Sequence, residues 1–257
     1  MKNTQIFKEL HHQDELLLIG NVWNAQSAKI YERLGYKAIA TSSSAVAHSL
    51  GYEDGEEMSF DEYLYIIERI LKSVSLPLSV DLEAGYGNNA DEVVSNISKL
   101  ASMGVVGVNI EDSIVADGTR EILDKGAINN RLGEIMAKLK EQNVEMFINL
   151  RTDPFLLRLE NPLNETLERI KLLETIEVNG IFVPCITAEQ DIQTVVGATK
   201  LPVNVMCMPD LPDFETLKNL GVRRISLGNF LNGYIYNHLE TAGREIIDQQ
   251  NFSPIFM

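Results

Sequence analysis

Cysteine is nearly absent. The 257 residues hold two, Cys185 and Cys207, with no metal-ligand spacing, which argues against a disulfide framework or a thiolate metal site. Long apolar runs are missing too, and none approaches the ~20 residues a membrane-crossing helix needs. The polar start Met1-Lys2-Asn3-Thr4 has none of the layout of a secretory signal. A cytoplasmic location with no membrane partner is the expectation. Basic residues are few, 22 Lys and Arg against 37 Asp and Glu, for a formal net charge of -15. Binding phosphate backbones takes a concentrated basic surface, so no nucleic-acid partner is expected. A small anionic substrate stays compatible if a local arginine or a Mg²⁺ ion overcomes the field.

What the chain does have is a steady alternation. Short β-branched or Leu-rich runs follow helix-like stretches at 16–20, 38–42, 76–83, 105–112, 145–153, 180–186, 202–207 and 224–228. Amphipathic segments lie between them, for example 60–74, 92–103, 132–141, 165–178 and 214–220, several closing on Gly or Asn, as at Gly35, Gly104, Asn179-Gly180 and Gly221. Eight βα units without an evident linker predict a single (β/α)8 TIM-type barrel domain over 1–257, with 229–257 as C-terminal helix and tail. An open doubly wound sheet is the second architecture.

The most informative stretch is Asp81-Leu82-Glu83-Ala84-Gly85-Tyr86-Gly87. As the end of a buried strand it places two carboxylates on one face, two residues apart. Burying them together needs a cation or donors, so a hard divalent metal is the simplest reading. A pair of acids on a solvated strand end is the plainer one. Other strand ends are also polar: Asn21-Val22-Trp23-Asn24, Thr41-Ser42-Ser43-Ser44, Glu111-Asp112-Ser113 and Arg151-Thr152-Asp153. In a barrel all of these gather around one mouth, at the C-terminal ends of the strands.

These motifs, with Leu50-Gly51-Tyr52-Glu53-Asp54-Gly55 and Arg224-Ile225-Ser226-Leu227-Gly228, resemble the isocitrate lyase and phosphoenolpyruvate mutase superfamily from about Asn21 to Gly228. The resemblance implies a Mg²⁺ enzyme acting on small 2-oxo or 2-hydroxy carboxylates through a pyruvate-type enolate. It implies Asp81, Glu83 and Glu111 as metal ligands, directly or through water. Arg151, Asp54 and Ser42 are the expected catalytic residues. Ser42, Ser43, Ser44, Arg151 and Trp23 are the expected substrate-binding set, with the Ser43 and Ser44 N–H groups completing an oxyanion site. Asp112 and Asp153 are expected to orient ligands from behind. His48 reads as a capping or surface histidine, and His11-His12 as solvated polar sequence.

The chain departs from the family where isocitrate and methylisocitrate lyases carry a lid cysteine. Residues 113–125 contain none, and the two thiols read as small buried hydrophobes. The mutase lid is not matched either. Glu83 replaces a common aspartate, and Asn24 stands where Asp is frequent. The expected function is therefore a Mg²⁺-dependent carbon–carbon lyase or decarboxylase of a lid-cysteine-lacking branch. The alternatives are a phosphonopyruvate hydrolase or phosphoenolpyruvate mutase, and a barrel that binds a carboxylate without turnover. Segment 114–125 is expected to form a mobile lid. The apolar tail Phe252-Ser253-Pro254-Ile255-Phe256-Met257 suggests a homo-oligomer, dimer or tetramer, in which the family's exchange of the last helix is an open possibility.

Overall fold

A computed structural model describes residues 3–256, Glu174 by its backbone alone. In chain order the strands are β1 (Leu17–Val22), β2 (Ile39–Thr41), β3 (Leu78–Asp81) and β4 (Gly107–Glu111), an antiparallel hairpin of β5 (Ser113–Ala116) and β6 (Thr119–Ile122), then β7 (Phe147–Arg151), β8 (Gly180–Val183), β9 (Val203–Met206) and β10 (Arg224–Ser226). All but the hairpin are parallel and close a barrel in the order β1-β10-β9-β8-β7-β4-β3-β2. The expected (β/α)8 barrel is therefore the observed one. The register sets Asp81 beside Asn109, and Glu111 beside Arg151, so the strands' chemistry arrives at one rim.

The helices are α1 (Asn3–Leu10), α2 (Ala25–Arg33), α3 (Ser43–Leu50), α4 (Phe60–Leu71), α5 (Ala90–Met103), α6 (Lys125–Glu141), α7 (Pro162–Leu172), α8 (Glu189–Gly197), α9 (Phe214–Asn219) and α10 (Phe230–Gln249). Local chemistry starts and stops them. Ser59 and Glu62 exchange backbone N–H groups in a capping box that opens α4, and Asn24 and Ser27 do the same for α2. Gly104, at φ 101°, ends α5 in the left-handed conformation that glycine takes without steric cost. Residues such as Tyr63, Ile67, Ile70, Val93 and Ile97 on the inward faces of α4 and α5 are fully buried, and this layer between helices and sheet is the larger part of the core.

The barrel floor is a second, separate cluster. Phe7 of α1 packs with Leu17, Ile19, Ala38, Ala40, Val106 and Phe147. Its ring meets Phe147 edge-on at 5.3 Å, and His11 stacks on Phe147 at 4.1 Å. Gly107 leaves the space Phe7 fills, since a Cβ there would lie 2.9 Å from the Phe7 ring. His11 corrects the expectation of solvated sequence. It is 2 % exposed, its Nδ1–H donates to the Phe7 carbonyl at 2.8 Å, and burial, aided by the charge of Arg224, pushes its pKa down to about 3. One face of α1 had to close the barrel end, and His11 lies on that face one turn after Phe7.

Among the described residues no helix is long and apolar enough to cross a membrane. The C-terminal α10 buries only Asn232, leaving Leu239 64 % and Ile247 68 % exposed.

Candidate active site

The C-terminal ends of all eight barrel strands, with the segments that carry Asp54 and Arg120, converge on a cavity of about 240 Å³. Its polar wall is made by Asn21, Ser42, Ser43, Ser44, Asp54, Asp81, Asn109, Arg120 and Arg151, and its apolar wall by Leu156, Phe182, Pro184 and Met206. Asp81 sits at the centre of a ladder of donors. Ser43 Oγ donates to its Oδ2 at 2.9 Å and Ser43 N at 3.4 Å, while Asn109 Nδ2 donates to Oδ1 at 3.2 Å. Asn149 in turn donates to Asn109 at 2.9 Å. The backbone of Asp81 is held as firmly: its N–H donates to Thr41 Oγ1, and its carbonyl accepts the Tyr63 hydroxyl at 3.0 Å. Ser42 caps α3, so the first-turn N–H groups of that helix face the cavity with the positive end of its dipole.

Asp81 and Glu83 do not share a strand face. β3 ends at Asp81, and Glu83 adopts φ 52° in the turn that follows. Its carboxylate lines a neighbouring cavity of about 320 Å³, where it accepts the Tyr86 hydroxyl at 2.9 Å and the Glu56 N–H at 3.1 Å. Burial pushes its pKa up to about 9, and the negative charges of Asp54, Glu111 and Asp81 add to the rise. Glu111, 1 % exposed, is gripped on both oxygens: Arg151 Nη1 lies 2.6 Å from Oε1, and Arg120 Nη1 contacts Oε2. Burial raises the Glu111 carboxyl while Arg151 and Arg120 oppose it; with two guanidinium groups in contact, the ionised form is the one the geometry holds.

Arg151 also binds Asp153 through Nε at 2.7 Å and Nη2 at 3.3 Å, a bidentate fork that fixes its direction. Burial works against its charge, but Glu111 and Asp153 raise its pKa well above the ordinary value. Asp153 accepts Ser113 Oγ, and its N–H donates to Asp112 at 2.9 Å. Asp112 further binds Thr152 Oγ1 at 2.7 Å and Arg169 Nη1 at 3.2 Å, so both acids sit behind the cavity wall. Asp54, whose side chain is 34 % exposed, accepts Ser43 Oγ at 3.3 Å and Arg120 Nη2 at 3.1 Å.

Trp23 departs from its expected role. Its side chain is 8 % exposed and packs in the core, not on the cavity. Most of segment 114–125 is the β5–β6 hairpin, turned tightly through Asp117 and Gly118 at φ 49° and 73°. The Asp-Gly pair between alternating residues was a readable hairpin signal. Cys185 and Cys207 are half-buried, and His48 is a surface side chain 3.7 Å from Glu53. Arg120, Asn109 and Tyr63 are site residues that the motifs did not mark.

Two guanidinium groups face five carboxylates here, those of Asp54, Asp81, Glu83, Glu111 and Asp153. The rim therefore keeps an excess of negative charge and an all-oxygen donor set. Among the described residues no three His, Cys, Asp or Glu side chains come together closely enough to hold a bare ion. Mg²⁺ normally keeps several waters and takes only one or two protein carboxylates. Asp81 on the cavity, with Asp54, Glu83 and Glu111 around it to hold such waters, fits that demand.

The rim lies at the strand C-termini, the face on which (β/α)8 barrels carry their active sites. The comparisons with known proteins agree. The phosphoenolpyruvate phosphomutase family model matches residues 7–247, and the chain belongs to that family, within the phosphoenolpyruvate mutase and isocitrate lyase superfamily of lyases and mutases. An uncharacterized protein of Mycobacterium tuberculosis is 28% identical over 223 residues, 87% of this chain and 81% of that one. The oxaloacetate decarboxylase of Ectopseudomonas mendocina is 26% identical over 228 residues, 87% of this chain and 77% of that protein. A crystal structure from Burkholderia cenocepacia, provisionally described as a phosphonomutase, superposes with a TM-score of 0.88 at 33% identity, covering 95% of this chain and 100% of that one.

Proposed function

We propose that the chain is a Mg²⁺-dependent carbon–carbon lyase or decarboxylase that acts on a small 2-oxo or 2-hydroxy carboxylate through a pyruvate-type enolate. The observation that carries this reading is the convergence of Arg151, the α3 N-terminus and Asp81 on one small cavity. Arg151, fixed by Asp153, offers a fork to the substrate carboxylate. The first-turn N–H groups at Ser43 and Ser44 lie where enolate oxygen charge would be stabilised, and one such donor is typically worth about 3 kcal/mol. Asp81, Glu83 and Glu111 would hold Mg²⁺, with Asp54 beside them. When bound, the ion supplies Lewis-acid withdrawal of charge from the substrate oxygens. Asp54 would take the proton of a 2-hydroxyl group, a role supported by its partial opening to the cavity and its hydrogen bond from Ser43. Phe182, Pro184, Leu156 and Met206 pack against the carbon chain and exclude water from the enolate.

Similarity to the oxaloacetate decarboxylase favours carbon–carbon cleavage. A second reading, carbon–phosphorus chemistry, has the family description and the Burkholderia structure in its favour. A panel of oxaloacetate, 2-methylisocitrate, malate derivatives and phosphonopyruvate, run with and without Mg²⁺, separates them. Pyruvate or CO₂ release is expected; inorganic phosphate release or phosphoenolpyruvate formation from phosphonopyruvate alone moves the protein to the second reading, and the absence of every one of these products removes both.

A homo-oligomer, dimer or tetramer, belongs to this proposal. Leu239, Ile247, Phe252 and Phe256 are each more than 60 % exposed, and burying one such side chain is worth about 1.5–3 kcal/mol. A second copy of the chain covering α10 would recover that free energy; light scattering that finds a monomer at micromolar concentration overturns this.

A further inference from the structure

Arg120 stands where the two cavities meet and lines both of them. Its position is set by the hairpin, in which Val115 pairs with Arg120 across the two strands. The hairpin in turn sits on the turn that carries Asp54. A Cβ added at Gly55 would lie 2.5 Å from Val115, so the two segments touch through a missing side chain. From this seat the guanidinium donates to Asp54 at 3.1 Å, to Ser113 Oγ at 3.0 Å, and to Glu111. Arg151 holds the other oxygen of Glu111 at 2.6 Å.

Asp54 and Glu111 are thus spent on Arg120, and they are the acids that would surround a divalent cation. The cation and the arginine compete for one set of charges. A carboxylate already sits between Arg120 and Arg151, which shows what kind of group the pair can grip. We propose that Arg120 is a specificity-determining residue for dicarboxylates: it neutralises Asp54 and Glu111 until a divalent cation engages them, then turns its fork to a second carboxylate on the substrate. The inference rests on the oxo-acid reading above and deepens it to a substrate with two carboxylates. It makes cation and dianion binding reinforce each other, and linkage requires that coupling to be reciprocal. A monocarboxylate gains little of it, having nothing for Arg120 to hold.

The test is calorimetry on the full chain, with Mg²⁺ as one ligand and 3,3-difluorooxaloacetate or pyruvate as the other. In the wild type, saturating difluorooxaloacetate is expected to tighten Mg²⁺ binding about tenfold more than saturating pyruvate does. Arg120→Met is expected to tighten Mg²⁺ binding about threefold to tenfold in the absence of an organic ligand, because its competitor is gone. The same variant should weaken difluorooxaloacetate about 30-fold to 100-fold at saturating Mg²⁺ and leave pyruvate within about twofold. Arg120→Lys keeps the charge without the fork, so Mg²⁺ affinity stays near wild type while the diacid weakens. Equal weakening of Mg²⁺ and both organic ligands in a folded Arg120→Met protein means a structural brace and overturns the proposal. If neither variant folds, the wild-type titrations decide, and equal coupling of Mg²⁺ to the diacid and to pyruvate overturns it. Failure of the oxo-acid reading looks different: neither organic ligand then binds wild type in Mg²⁺ at millimolar concentration, and the proposal falls with it.

Discussion

At the C-terminal rim of the barrel five carboxylates and two guanidinium groups crowd in and behind two adjoining cavities, whereas at the opposite end Phe7 and Phe147 meet edge-on in a seal from which carboxylates are absent among the described residues. The rim holds like charges close together at a cost in self-repulsion. The floor, His11 apart, consists of apolar side chains whose demand is to leave water. Stability drawn from the floor and the helix layer offsets the strain kept at the rim. The two ends should therefore respond oppositely to substitution, function at one and folding at the other.

The largest effect is expected at the rim. Asp81→Ala should lower kcat/KM on the active oxo acid by on the order of 10⁴-fold, equivalent to about 5–6 kcal/mol, while the thermal midpoint moves little. Steady-state kinetics alongside a melting curve checks both, and equal Mg²⁺ affinity in variant and wild type would remove Asp81 from the metal site. At the floor, Phe147→Ala should cost about 3–5 kcal/mol of stability by opening a cavity beneath Phe7, measured by urea titration, with kcat per folded molecule unchanged. A loss of activity out of proportion to unfolding would dissolve the distinction between the ends. Arg151→Lys comes next. Its point charge cannot reproduce the fork that Asp153 orients, so oxalate affinity should fall about 100-fold, or about 3 kcal/mol. Isothermal titration reads this directly.

The smallest effect is a pH dependence at the floor. The folded pKa of His11 is depressed to about 3, so the folded state binds the proton less well than the unfolded chain. Its contribution to stability is present above the unfolded value of about 6.5 and is lost as pH falls toward 3. Acidification from pH 7 to 5 should cost about 1–2 kcal/mol through this group. His11→Leu, matched in size and without the imidazole, should lose less over that interval. Parallel stability curves for the two proteins between pH 5 and 7 would show that the buried ring is not the titrating group.

Much of this contrast was legible in the sequence, and the failures have physical causes. Every barrel strand except β1 falls inside its expected window, since β-branched runs bounded by Gly and Asn declare parallel core strands directly. β1 runs on to Val22 because its end pairs with β2, Asn21 beside Ala40 and Val22 beside Thr41, while the Asn21 side chain accepts the Leu227 and Gly228 N–H groups. Asp81, Arg151 and the serine run reach the rim for the same reason. The expected shared strand face of Asp81 and Glu83 failed because spacing says nothing about where a strand stops, and one left-handed residue turns the Glu83 carboxylate into the neighbouring cavity. Trp23 lay at a strand end, but its bulk favoured the helix layer over a polar mouth. Arg120 carried no motif at all. Only the hairpin register places it, and its partners lie up to 66 residues away in the chain.

The floor seal has a consequence for synthesis. Phe7 belongs to the first helix, yet its seat is made by Val106, Gly107 and Phe147, which follow it by roughly 100 to 140 residues. A chain emerging at ~5–20 residues per second therefore carries this aromatic side chain for several seconds before its partner exists. The first and fifth barrel strands must both be in place before water leaves the interior, so closure is a late and long-range event. The barrel is sealed from its beginning, but only after more than half of it has been made.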